Sequence, residues 1–292
     1  MQHDSAGTEF DRALREAHAR CGAPLCVGID PDLDRMPQPL AGKTPGEAFE
    51  DFSRGVVEAV ALHTAVVKFQ SACFERFGIA GLKALEAGIR AARDAGLAVI
   101  LDAKRGDIGV SGRHYAAGAA SLGAQAITVN AFLGMETVEP YLDEKLAVFV
   151  LVRTSNPGSA DVQDVVLRSG GTLAMHLGQL VAELGRRRPG VHAVVGATQH
   201  EQAAVLRAVM PDQLFLLPGL GAQGATIQDM CAFAKHDSHC ENDPTRGLLP
   251  TASRSVIYAG SGADWQKAVG ETAAGLNAEL RTVMASPAGT AG

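Results

Sequence analysis

The chain has 292 residues, 47% of them hydrophobic and 20% charged, with 26 Lys plus Arg set against 32 Asp plus Glu. A net charge of −6 argues against sequence-independent nucleic-acid binding, which needs many phosphate-neutralising cations, and no apolar run approaches the 18 residues of a membrane span. Five cysteines, an odd number scattered along a long chain, do not make a disulfide framework.

Met1 to Glu9 is polar and lacks a basic-then-apolar signal pattern, so a cytoplasmic protein is expected. A first helix is expected over about residues 8–22. Eight short runs rich in β-branched residues then follow: Leu25–Asp30, Ala65–Gln70, Ala98–Ala103, Ala126–Asn130, Ala147–Arg153, Val191–Gly196, Leu214–Pro218 and Leu248–Ser253. Most are nearly continuous apolar stretches, the pattern of parallel strands covered on both faces. Between them lie amphipathic segments, among them Glu47–His63, Ile79–Ala95, Gly171–Arg187, Gln199–Val209 and Ala263–Met284. Eight strands alternating with helices in about 250 residues predict an α/β fold, a single-domain (β/α)8 TIM barrel over about residues 25–284. An open doubly wound sheet is the rival, because strand count does not reveal closure. Pro31–Pro45, Ser155–Gly170 and Lys235–Gly247 read as long loops, and Ala285–Gly292 as a frayed tail.

Charge gathers where the strands end. The first ends in Gly28-Ile29-Asp30, the second in Lys68-Phe69-Gln70, and the third runs into Asp102-Ala103-Lys104-Arg105-Gly106-Asp107. In a barrel the C-terminal strand ends carry function. Asp102 and Lys104 are two apart, so on a strand both point to one face, towards the mouth. Taken singly, each charge reads as a solvated strand end or a structural ion pair; their convergence on one mouth favours a site.

Pro218–Gly224 holds the spacing G-x-G-x-x-G after the seventh strand. The dinucleotide-binding reading is opposed by its late position and by the lack of a strand-borne acid about 20 residues on. A phosphate cradle of exposed N–H groups, with Arg254 as a two-pronged cation at the end of strand eight, is the better reading. His236, His239 and Cys240 lie close together, but their spacing matches no strong zinc pattern, and a polar loop is the default. Arg186-Arg187-Arg188 reads as a solvated helix end, and Cys26 and Cys73 as buried small apolar residues.

From about Leu25 to Tyr258 the sequence resembles the orotidine 5′-phosphate decarboxylases, in their longer-looped bacterial subgroup. The most specific element is Leu101-Asp102-Ala103-Lys104-Arg105-Gly106-Asp107-Ile108, which matches the family's D-x-K-x-x-D signature. Gly28-Ile29-Asp30, Val67-Lys68-Phe69, Ser155-Asn156-Pro157-Gly158, Pro218–Gly224 and Ser253-Arg254-Ser255 support it. The signature alone also resembles the magnesium-dependent keto-gulonate phosphate decarboxylases; the Gln223 loop and the Ser155–Gly158 turn favour the orotidine enzymes.

The resemblance implies removal of CO2 from C6 of orotidine 5′-monophosphate, giving UMP with no cofactor and no metal. It implies that Lys104 protonates C6, flanked by Asp102 and by Asp107 of a second copy in a homodimer with shared sites. Asp30 and Lys68 would hold ribose hydroxyls, and Ser111, where the family often has Thr, would reach the partner's ribose. Either Ser155 or Asn156 would meet the pyrimidine edge, Gln223 would bridge base and phosphate, and Arg254 with glycine N–H groups such as that of Gly221 would take the phosphate. Two alternatives remain: a magnesium-dependent sugar-phosphate decarboxylase of related fold, and a non-catalytic nucleotide-phosphate binding barrel that kept the cradle.

Overall fold

The computed structural model describes residues 7–196, 200–221, 225–235 and 243–285. Eight parallel strands close on themselves in sequence order: β1 (Cys26–Ile29), β2 (Val66–Gln70), β3 (Ala98–Arg105), β4 (Ala126–Val129), β5 (Ala147–Arg153), β6 (Val191–Val195), β7 (Phe215–Pro218) and β8 (Leu248–Ala252). Closure is explicit in the pairing of Cys26 with Thr251 and Val27 with Ala252, which rules out the open sheet. The fold is the (β/α)8 barrel that the strand count suggested.

Strand alternation sorts the chain into two cores. Outward residues such as Val27, Val67, Val99, Ile127, Val150 and Leu217 pack under the ring of helices. Inward residues such as Cys26, Val66, Ile100, Ala126, Phe149, Leu216 and Leu249 fill the barrel. The N-terminal helix, Glu9–Cys21, joins this inner core by burying Phe10, Leu14 and Ala17. It starts at a capping box, in which Thr8 and Asp11 satisfy each other's backbone N–H groups. Phe10 sets its ring against the edge of Phe149, 5.5 Å between centroids, so the barrel is plugged below and its polar upper layer is left for the site.

Several boundaries move. The amphipathic segments settle as Pro45–Val60, Gly78–Asp94, Leu173–Arg187, His200–Val209 and Trp265–Ala285. The loop after β5 contains a 3-10 turn, Pro157–Ser159, and a short helix, Ala160–Gln163. Cys26 is fully buried, but Cys73 is only half-buried, because the short helix Ser71–Glu75 leaves it beside an open cleft. Arg186 and Arg187 are exposed and Arg188 pairs with Asp143. His236, His239, Cys240 and the tail beyond Ala285 lie outside the described residues.

Candidate active site

The inward positions of β1 to β4 change from apolar to polar or charged at their upper ends. Asp102 is the hub. Its Oδ1 accepts from Lys104 Nζ at 2.6 Å and from Thr128 Oγ1 at 2.8 Å, and its Oδ2 accepts from Lys68 Nζ at 2.9 Å. Lys68 Nζ also lies 3.8 Å from Asp30 Oδ1. Burial alone would push the Asp102 carboxyl up, but the Lys68 and Lys104 ammoniums hold it well below the usual carboxylate range. Burial alone would likewise lower Lys68, and the Asp102 and Asp30 charges reverse that, raising it above the ordinary lysine value.

Lys104 reaches Asp102 by a route that simple alternation does not describe. The β3–β4 register shifts between Leu101 and Arg105, and Lys104 sits at φ +46°, a left-handed conformation costly for a residue with a side chain. Thr128 Oγ1 accepts the Lys104 backbone N–H at 2.9 Å and so stabilises the bulge. Strand parity therefore finds the right pair, but a bulge aims it. The Lys104 side chain is 46% exposed, whereas its anchor Asp102 is 9% exposed, so the ammonium stands at the surface of the cavity on a buried base.

These groups line a cavity of about 510 Å³ over an apolar floor that includes Leu151, Val194 and Leu216. Ser155, Asn156 and Gln163 form one wall, and Gly219, Leu220 and Arg254 another. Arg254 begins the short helix Arg254–Ile257 and is exposed. Gly28 is required where β1 meets Ser253, since a Cβ there would collide with the serine hydroxyl. Tyr258 fixes the end of β1: its hydroxyl accepts the Asp32 N–H at 2.7 Å and donates to Asp30 O at 3.3 Å. Asp30 Oδ1 is buried without a hydrogen bond, with the Lys68 ammonium 3.8 Å away, while the side chain as a whole keeps part of its surface at the cavity.

Asp30, Lys68, Asp102, Lys104, Ser155, Asn156 and Arg254 thus share one cavity. Three expected residues do not join it. Asp107 is half-buried and its Oδ1 accepts the Ile108 N–H at 2.8 Å, while Ser111 is exposed on the helix Gly109–Ser121. Gly221, at φ +77°, donates its N–H to Ala225 O at 3.2 Å, and Leu220 donates to Thr251 O at 3.3 Å. Those two donors close the turn, so neither is free to cradle a phosphate, which leaves Arg254 as the principal cation of that wall. Gln223 lies outside the described residues. Sequence reasoning missed Thr128, Gln163 and Tyr258; a lone Thr inside the apolar run Ala126-Ile127-Thr128-Val129 was the available signal for the first.

Fold and site together define a (β/α)8 barrel with a lysine–carboxylate centre at its C-terminal mouth. A family model described as the orotidine 5′-phosphate decarboxylase / HUMPS family matches residues 23–261. The chain is 38% identical over 278 residues to the orotidine 5′-phosphate decarboxylase of Bordetella petrii, covering 94% of this chain and 99% of that protein. It is 35% identical to the enzyme of the same name from Rhodopirellula baltica, covering 93% and 99%. The solved structure of Leishmania donovani OMP decarboxylase superposes with a TM-score of 0.76 at 30% identity, covering 94% of this chain and 98% of that one. The chain belongs to the orotidine 5′-phosphate decarboxylase / HUMPS family.

Proposed function

We propose that the chain decarboxylates orotidine 5′-monophosphate to UMP and CO2 in pyrimidine nucleotide synthesis. The observation that carries this reading is the Lys104 ammonium held 2.6 Å from a buried Asp102 at the mouth of a barrel of this family. The C6–carboxylate bond breaks, CO2 departs, and the electron pair left on C6 takes a proton from Lys104 Nζ. A cation about 4 Å from the developing carbanion, at an effective dielectric near 20, is worth roughly 4 kcal/mol, so it shapes the barrier without accounting for all of it.

The remaining roles concern grip. The Asp30 carboxylate and the Lys68 ammonium suit ribose hydroxyls, Ser155 and Asn156 the pyrimidine edge, and Arg254 the phosphate, whose remote binding energy helps orient the reacting end. Gln223 is assigned to base and phosphate by resemblance alone. Both Asp102 oxygens already accept from ammonium or hydroxyl donors, an arrangement poorly suited to ligating a divalent cation, which disfavours the magnesium-dependent sugar-phosphate reading.

The site is shared in a homodimer on this reading, with Asp107 and Ser111 serving a second copy. Ile108, Val110 and Tyr115, near both residues in sequence, are exposed apolar side chains, as are Phe132 and Leu133 after β4. No described helix is long and apolar enough to cross a membrane, and a cytoplasmic location is proposed.

Following UMP formation by ultraviolet absorbance, with and without EDTA, tests the reading. Turnover is expected in chelator, falling at least about 10³-fold in Lys104→Ala while UMP still binds. A folded protein without turnover overturns the proposal, as does turnover abolished by EDTA and restored by Mg²⁺.

A further inference from the structure

Arg153 ends β5 only 2% exposed, and it does not line the cavity. Its Nε and Nη2 donate to the two oxygens of Asp164 at 3.1 and 2.9 Å, a bidentate pair. Its Nη1 donates to Ser159 Oγ and to Thr154 O at 2.7 Å, and shares a longer bond with Gln163 Oε1 at 3.3 Å. These acceptors all belong to residues 154–164, the segment that brings Ser155 and Asn156 into the cavity.

The bonds continue in one sense. Gln163 Oε1 also accepts the Thr154 N–H at 2.8 Å, which fixes that amide so that its Nε2 donates to Thr154 Oγ1 at 3.0 Å. A hydroxyl has one hydrogen to give. It goes to Asn156 Oδ1 at 2.6 Å in preference to Gln163 Oε1 at 3.3 Å. With its carbonyl oxygen engaged by Thr154, Asn156 has its two Nδ2 hydrogens left to offer to the cavity it lines.

We infer that Arg153 is a positioning residue that, through Gln163 and Thr154, holds Asn156 as a hydrogen-bond donor towards the base, so that the site selects a pyrimidine with a carbonyl at that edge. The inference rests on the decarboxylase reading for the identity of the ligand. A uracil-type ring offers a carbonyl acceptor there. A cytosine-type ring offers an amine, which sets donor against donor and leaves polar groups unpaired. The sense of the chain is set by the Thr154 N–H on Gln163 Oε1 and reinforced from the buried end by the guanidinium, since both groups can only donate.

The test is equilibrium binding of UMP, CMP and ribose 5-phosphate to the wild type and to Thr154→Val, Gln163→Leu and Arg153→Lys, with the unfolding midpoint of each. The wild type is expected to favour UMP over CMP by at least about tenfold. In the variants UMP weakens by about 10- to 100-fold, the scale of a misplaced contact, and the UMP-to-CMP ratio falls towards one. Ribose 5-phosphate, which has no base, stays within about twofold of wild type. Arg153→Lys keeps the charge and loses the fork; should it fail to fold, the other two variants decide. A wild type without preference for UMP overturns the inference, as does an unaltered ratio in Thr154→Val and Gln163→Leu. Equal losses for UMP and ribose 5-phosphate also overturn it, since they mark damage to the whole site. A wild type that discriminates UMP from CMP but turns over no orotidine 5′-monophosphate overturns the functional reading and leaves the positioning chain standing.

Discussion

Replacing Asp102 by Asn would leave the Lys68 ammonium, whose side chain is 6% exposed, facing only Asp30 at 3.8 Å. Removing one partner of a buried ion pair typically costs 3–5 kcal/mol. With Asp30 giving part of the compensation, Asp102→Asn is expected to lose about 3 kcal/mol at neutral pH, read by denaturant unfolding. The sign with pH follows from the carboxyl being held below its ordinary value. Its stabilisation is fully present above the usual carboxylate pKa, about 4, and fades as the pH falls beneath it. The gap between wild type and Asp102→Asn should therefore be flat from pH 5 to 8 and narrow in acid; a variant as stable as wild type, or a gap that widens in acid, contradicts this. Asp102 and Lys104 were legible in the sequence because several strand-end charges converge on one barrel mouth, although each alone reads as a solvated end or an ion pair. Thr128 and Gln163 were not, because neutral groups gain a role only once strand register and a folded loop bring them to a partner.

At the scale of the element, the N-terminal helix Glu9–Cys21 is tied to the barrel floor by Asp11 as well as by Phe10. Asp11 Oδ1 lies 3.3 Å from His192 Nε2 on β6. Burial alone would raise the Asp11 carboxyl, but the hydrogen bond and charge of His192, with the Thr8 bonds, bring it down to about 2. A depressed carboxylate stabilises the fold above its unfolded value near 4, and that contribution is lost as the pH drops from about 4 to about 2. Asp11→Asn is expected to cost about 2 kcal/mol near pH 5, where an imidazole ordinarily carries its charge, with the difference from wild type shrinking between pH 4 and 2. A loss that persists undiminished at pH 2.5 would show that the effect is packing and not charge. Long elements with a clear stripe were readable in advance, as in Pro45–Val60, where Phe49, Phe52 and Val56 recur on one face. The helix Gly109–Ser121 gives little stripe, because its buried positions are Gly112, Ala116 and Ala119. Ser71–Glu75 and Ala160–Gln163 are too short for any period to register. The β3 bulge has no local sequence mark, since it is set by Thr128 from the next strand.

At the scale of the whole molecule, eight apolar runs announced the strands but not their closure, because the β1–β8 pairing joins segments more than 200 residues apart. The resemblance carried what periodicity could not, above all the assignment of Asp107. Within one chain that residue bonds its neighbour Ile108 and takes no part in the cavity. If one ammonium works between carboxylates contributed by two chains, mixing Lys104→Ala with Asp107→Ala protomers, each inactive alone, restores turnover. In a heterodimer one site regains both groups, while the other loses both. Random pairing makes half the dimers heterodimers, so about a quarter of all sites should recover and turn over orotidine 5′-monophosphate. No recovery after verified subunit exchange, or an Asp107→Ala protein that is fully active by itself, would contradict it.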